Sequence, residues 1–146
     1  MKNMTRDPYK NKATITLDAA NALIKSVLKA GETQGLHLSV SVTDAGGHLQ
    51  AFGRHDLAAF LTVDMALDKA WTACSFGKPT HIWNQLVQDP HMAPIASRSR
   101  MVAVGGGYPI IANHQVIGGL GVSGGTHEQD RTIAEQALTD LGFELS

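Results

Sequence analysis

Apolar and polar positions along this chain keep two different periods, and the switches between them mark its elements. Leu17, Ala20, Ile24, Val27 and Leu28 recur at helical spacing. Thr16 stands where an N-cap is wanted, Asp18 favours the first turn, and Gly31 or Gly35 is expected to end the helix. Leu38, Val40 and Val42 then alternate with Ser39, Ser41 and Thr43, which predicts a strand with one buried face. Asp44-Ala45-Gly46-Gly47 is a turn, and residues 48–54 return as the second strand of a hairpin. Residues 58–76 predict a helix rich in apolar and small side chains, stopped by Gly77-Lys78-Pro79. Thr80 is expected to cap a short helix carrying Ile82, Trp83, Leu86 and Val87, and Pro90 and Pro94 bound an irregular stretch.

The second half is richer in glycine. Residues 101–104 predict a short strand entering Gly105-Gly106-Gly107; residues 108–112 predict another, Asn113-His114-Gln115 a turn, and residues 116–122 a further strand. Gly118, Gly119 and Gly121 inside that strand weaken it, so a helix, a ligand or another backbone is expected to press closely there. Thr126 with Gln129 is a capping box, and Ile133, Ala134, Ala137, Leu138 and Leu141 give the last helix its stripe. Short connections throughout favour an antiparallel α+β fold over parallel winding.

Composition narrows the functional classes. At 146 residues, with 43% apolar and 17% charged side chains, the chain suits one packed domain over residues 14–146, preceded by a flexible leader at 1–13. A net charge of −1 and scattered basic residues give no footprint for nucleic acid or an anionic membrane. No apolar run reaches the roughly 20 residues of a membrane span. The polar N-terminus shows no secretory signal, so a cytoplasmic location is expected. Cys74 stands alone as a small core residue, and the seven histidines form no HxH or HxxxH pair, so no metal site is predicted.

Two glycine turns are the strongest candidates for chemistry. Ser123-Gly124-Gly125-Thr126 runs from a strand into a helix N-terminus, where free amides and the helix dipole suit an anion; a turn that merely positions its helix is the alternative. Gly105-Gly106-Gly107-Tyr108 is costly to order and reads as a site wall, or as a crossing of two segments. Neither turn matches a dinucleotide or P-loop fingerprint. Lys69 lies among Thr62, Ala66 and Ala73 on its helix, placed to anchor a carboxylate or act as a base, or else to pair with an acid such as Asp130. Arg54 could clamp a carboxylate.

Val42-Thr43-Asp44-Ala45-Gly46-Gly47-His48-Leu49, Arg54-His55-Asp56, Asp68-Lys69-Ala70-Trp71-Thr72-Ala73 and the run from Gly105 through Thr126 to Asp130 resemble the GlcG/HbpS-like family over roughly residues 14–143. The resemblance implies a profilin-like five-stranded antiparallel sheet flanked by helices on both faces, assembled into homo-oligomers. The family includes haem-binding HbpS proteins, the haem- or corrinoid-associated C-terminal domain of PduO-type adenosyltransferases, GlcG, and stand-alone members of glycerol and diol utilisation clusters. Its shared positions fall here on Asp44, Gly47, Arg54, Asp56, Lys69, the 105–109 turn, and Ser123, Gly124, Gly125 and Thr126 with Asp130. Small-ligand binding, with haem or a corrinoid as ligand, is the resulting expectation. A cofactor-free lyase or isomerase acting on a small carboxylated metabolite, with Lys69 and Asp44 as acid–base candidates, is the second reading. An accessory subunit of a larger catabolic enzyme is the third.

Overall fold

The computed structural model describes residues 7–145. Its elements run α1 (Leu17–Thr33), β1 (Ser39–Asp44), β2 (Leu49–Arg54), α2 (Leu61–Phe76), α3 (Thr80–Leu86), a 3-10 turn (Ala93–Ser97), β3 (Gly107–Ala112), β4 (Gln115–Ser123) and α4 (His127–Asp140). The four strands form one antiparallel sheet in the order β2-β1-β4-β3. Thr16 caps α1 through the Ala19 amide, and the predicted capping box closes on α4. Gly31 does not end α1; it is buried inside the helix, and Gly35, at φ 70°, follows the last turn.

Helices α1 and α4 cover one face of the sheet. There Leu23, Val27, Val40, Val42, Ile110, Leu120, Val122, Ile133 and Leu138 form the apolar core. Full burial of each such side chain contributes about 1.5–3 kcal/mol. Helix α2 crosses the other face over β1, β4 and β3. It reaches backbone-to-backbone distance because β4 has no side chain in its path. A Cβ at Gly121 would stand 2.0 Å from the Ala66 carbonyl oxygen, and one at Gly119 2.2 Å from that of Ala70. The strand glycines expected to admit a close neighbour therefore admit α2. For the same reason β1 is buried on both faces, not one: Ser39, Ser41 and Thr43 lie beneath the helix.

The expected fifth strand is absent among the described residues. Residues 101–104 pair with no other strand because side chains take their backbone groups. The Val102 amide donates to Thr72 Oγ1, and the Ala103 carbonyl accepts from Asn84 Nδ2. At the other end, Glu144 makes only an isolated bridge to Ile111. Thr80 also departs from expectation. It is the first residue of α3, with Pro79 at the cap, and its hydroxyl turns inward to accept from the Gly107 amide at 2.8 Å. Of the expected leader, residues 1–6 lie outside the described residues; residues 7–13 are exposed and carry neither helix nor strand.

Candidate functional site

The two glycine turns meet. The Val122 amide donates to the Gly106 carbonyl at 2.9 Å, which sets residues 105–107 beside 123–125. The space between them, however, is filled by the protein itself. A Cβ at Gly106 would lie 2.9 Å from Lys69 Nζ and 2.9 Å from Asp130 Cβ, and one at Gly107 2.6 Å from Thr80 Cγ2. Gly105, Gly106 and Gly107 thus make room for α2, α3 and a buried ion pair.

That pair joins Lys69 Nζ to Asp130 Oδ2 at 3.1 Å, with the two side chains 2% and 3% exposed. The ammonium also donates to the Val122 carbonyl at 2.9 Å. Burial pushes the Lys69 ammonium down and the Asp130 carboxyl up from their ordinary values, and each charge opposes the other's shift. Asp130 is further held by the Gly125 amide, which donates to its Oδ1 at 2.9 Å. The Thr126 amide is taken by Gln129 Oε1, and the Gln129 amide by Thr126 Oγ1. The Gly125, Thr126 and Gln129 amides at this helix N-terminus are thus engaged within the chain. An internal lysine and aspartate thus occupy the space between the two turns, bonded to the Val122 carbonyl and the Gly125 amide.

The remaining candidates are dispersed. Tyr108 is buried, and its hydroxyl donates to Glu135, which also accepts from Arg131 Nε. Burial and the Glu135 carboxylate push that phenol well above its ordinary range. Ser123 lies opposite Ser39, and Arg54 stands exposed at the end of the edge strand on Ser39's other side. Asp44 sits at the opposite end of β1, paired with Gly118. Its carboxylate accepts from the amides of Gly46 and His48 and lies 3.3 Å from His48 Nδ1. Burial works against this carboxylate, but the two amides and His48 outweigh it and hold its pKa below the ordinary value. Lys69 and Asp44 do not share a site.

A cleft of about 810 Å³ opens beside the Asp44 turn. Lys10, Lys12, Gly47, Trp71, Cys74 and Phe76 are among its walls. Gly47 has φ 83°, and a Cβ there would press on the Trp71 indole edge at 3.3 Å, so the glycine sets how deep the turn sits against α2. The Cys74 thiol donates to the Asp44 carbonyl at 3.4 Å, and burial pushes its pKa up, so it lines the cleft as a neutral thiol. Two ammonium groups and two aromatic rings in one concavity suit a ligand that is flat or apolar in its body and anionic at its edge. The sequence reading missed this cleft: its walls come from four separated segments, and no motif links Lys10 and Lys12 to α2. Among the described residues, no group of three or more His, Cys, Asp or Glu is placed to hold a metal ion.

This fold and glycine framework have a family. The model of a family described as haem degrading protein HbpS-like matches residues 15–139, and the chain belongs to the HbpS-like family. Its relatives include a 15.0 kDa protein of the dhaT–dhaS intergenic region of Citrobacter freundii, 42% identical over 86% of this chain and 91% of the relative. The crystal structure of Klebsiella pneumoniae protein ORFY superposes with a TM-score of 0.88 at 36% identity, covering 94% of this chain and 97% of that one. A complex of PduOC with haem superposes with a TM-score of 0.85 at 28% identity, covering 91% and 99%.

Proposed function

We propose that this chain is a small-ligand-binding protein that takes a tetrapyrrole, haem in the first instance and a corrinoid as the alternative, in the cleft beside the Asp44–Gly47 turn. The observation that carries the reading is the lining of the 810 Å³ cleft, which combines Lys10 and Lys12 with Trp71 and Phe76. Its size falls within the range of pockets that hold cofactor-sized molecules. The haem complex of a structural relative supports the choice of ligand.

The residues present fit such a group. The lysines would meet its carboxylates and the rings its faces. His48 adjoins the turn, with Nδ1 3.3 Å from the Asp44 carboxylate, and stands outside the residues that line the cleft. When bound, haem would supply an iron centre whose reactivity depends on its axial ligand and its exclusion from water. The profilin-like architecture, a cytoplasmic location and assembly into a homo-oligomer belong to the same reading, through the resemblance. Leu57, Phe60 and Leu61, which are exposed side by side, are the candidate oligomer face.

Titration of the purified protein with haemin tests the proposal. A saturable, sharpened Soret band is expected. Lys10→Ala/Lys12→Ala should weaken binding by about tenfold, since two charge-assisted contacts are lost. Absence of saturation with both haemin and cobalamin overturns the function. Saturation indifferent to the two lysine substitutions overturns the site.

A further inference from the structure

The turn that joins β2 to α2 hangs on one side chain. Residues 55–60 carry neither helix nor strand. Two amides of this turn donate to His55, that of Ala58 to its carbonyl at 2.9 Å and that of Leu57 to its ring Nδ1 at 3.0 Å. His55 is itself fixed to the sheet, its amide donating to the Leu38 carbonyl at 2.9 Å. The ring thus acts as an asparagine or aspartate does when it accepts from an amide two residues on. What it holds in place is apolar and unsheltered: Leu57 is 70% exposed and Phe60 85%.

An imidazole differs from an amide oxygen in one respect. It accepts only while neutral; the imidazolium carries a proton on both nitrogens and has no lone pair left to offer. Histidine is also the side chain that changes charge between about pH 5 and 8. With the Leu57 amide on Nδ1, the neutral ring keeps its proton on Nε2, which lies 3.9 Å from Glu32 Oε1 in the last turn of α1. A second proton must go to Nδ1, where it meets the Leu57 N–H head on. His37, from the connection between α1 and β1, stacks on His55 with centroids 4.7 Å apart, and adds like-charge repulsion when both rings are protonated. The Glu32 side chain is 75% exposed, so water screens its attraction and the lost hydrogen bond is not restored. Arg54 and Asp56, the flanking residues, carry opposite charges. We propose that His55 is a pH-sensitive latch: the neutral ring holds the 55–60 turn folded, and protonation releases it together with Leu57 and Phe60. The latch stands apart from the cleft and from any ligand there. Only its consequence for assembly rests on reading Leu57, Phe60 and Leu61 as an oligomer face.

Amide hydrogen exchange of the intact protein tests the latch, read over seconds on a peptide covering residues 55–63 and set against a His55→Asn variant at each pH. Comparison at equal pH cancels the intrinsic pH dependence of exchange, and asparagine keeps an acceptor that no proton removes. The unaltered protein should match His55→Asn near pH 8 and exchange about fivefold faster in this segment near pH 5.5, the effect of losing one hydrogen bond. His55→Ala should exchange at the faster rate at both pH values, which separates the latch from a general loosening in acid. A ratio to His55→Asn that stays flat between the two pH values overturns the proposal. So does a His55→Ala variant as well protected near pH 8 as the unaltered protein.

Discussion

Breaking the Lys69–Asp130 pair should cost more stability than any surface ion pair in the molecule. At 3.1 Å the two charges attract by about 5 kcal/mol at an effective dielectric of 20. Taking each out of water costs several kcal/mol, so the intact pair contributes little net stability. Removing one partner leaves the other buried alone, and the expected loss is about 3–5 kcal/mol. Asp130→Asn is the cleaner single change, since an amide oxygen can still accept from Gly125, and Lys69→Met keeps the length of the side chain. For a chain of 146 residues each single variant should melt about 10 °C lower. The double variant should be about 2 kcal/mol or more better than the sum of the singles, because no unpaired charge remains. Urea unfolding at pH 7, followed by far-UV circular dichroism with the slope checked for constancy, measures all four corners of the cycle. Singles within 1 kcal/mol of the unaltered protein, or an additive double, would refute the argument that this pair fills the space between the turns as a neutralised unit.

Two further outcomes follow from the same structure. Gly121→Ala forces a Cβ to 2.0 Å from the Ala66 carbonyl oxygen, backbone against backbone, and should destabilise by about 3 kcal/mol or more. Gly46→Ala, whose Cβ meets the movable His48 ring at 3.0 Å and Asp44 Oδ1 in ordinary contact at 3.4 Å, should cost under about 1 kcal/mol; chemical denaturation of the two variants tests the contrast. Asp44→Ala should lose about 1–2 kcal/mol at pH 7, from two amide bonds to a partly exposed carboxylate. The folded-state pKa of Asp44 lies below its ordinary 3.8, so its contribution is complete above 3.8 and is lost as pH falls through the lower, folded value. Unfolding curves at neutral and acid pH should therefore converge for the two proteins; a gap that survives undiminished in acid contradicts the assignment.

The sequence alone determined the local elements, because each rests on neighbours along the chain. Thr16 and Thr126 cap helices through amides three residues on. The Asp44–Gly47 turn and the Asn113-His114 turn follow from which residues accept positive φ. The glycines of β4 announced a close neighbour, whether helix, ligand or another backbone, and α2 takes that place. What tertiary structure alone decided was how backbone groups were satisfied at long range. Residues 101–104 carry a strand-like pattern, yet Thr72 and Asn84, from elsewhere in the chain, take the hydrogen bonds a fifth strand would need. The glycine turns that read as an empty cradle are filled by a lysine 53 residues from the carbonyl it contacts. The cleft, in turn, depends on residues 10–12 meeting a hairpin and a helix end. Whether a bare amide faces a ligand or the protein's own side chain is settled by which segments fold against it, and periodicity along one strand or helix carries no record of that.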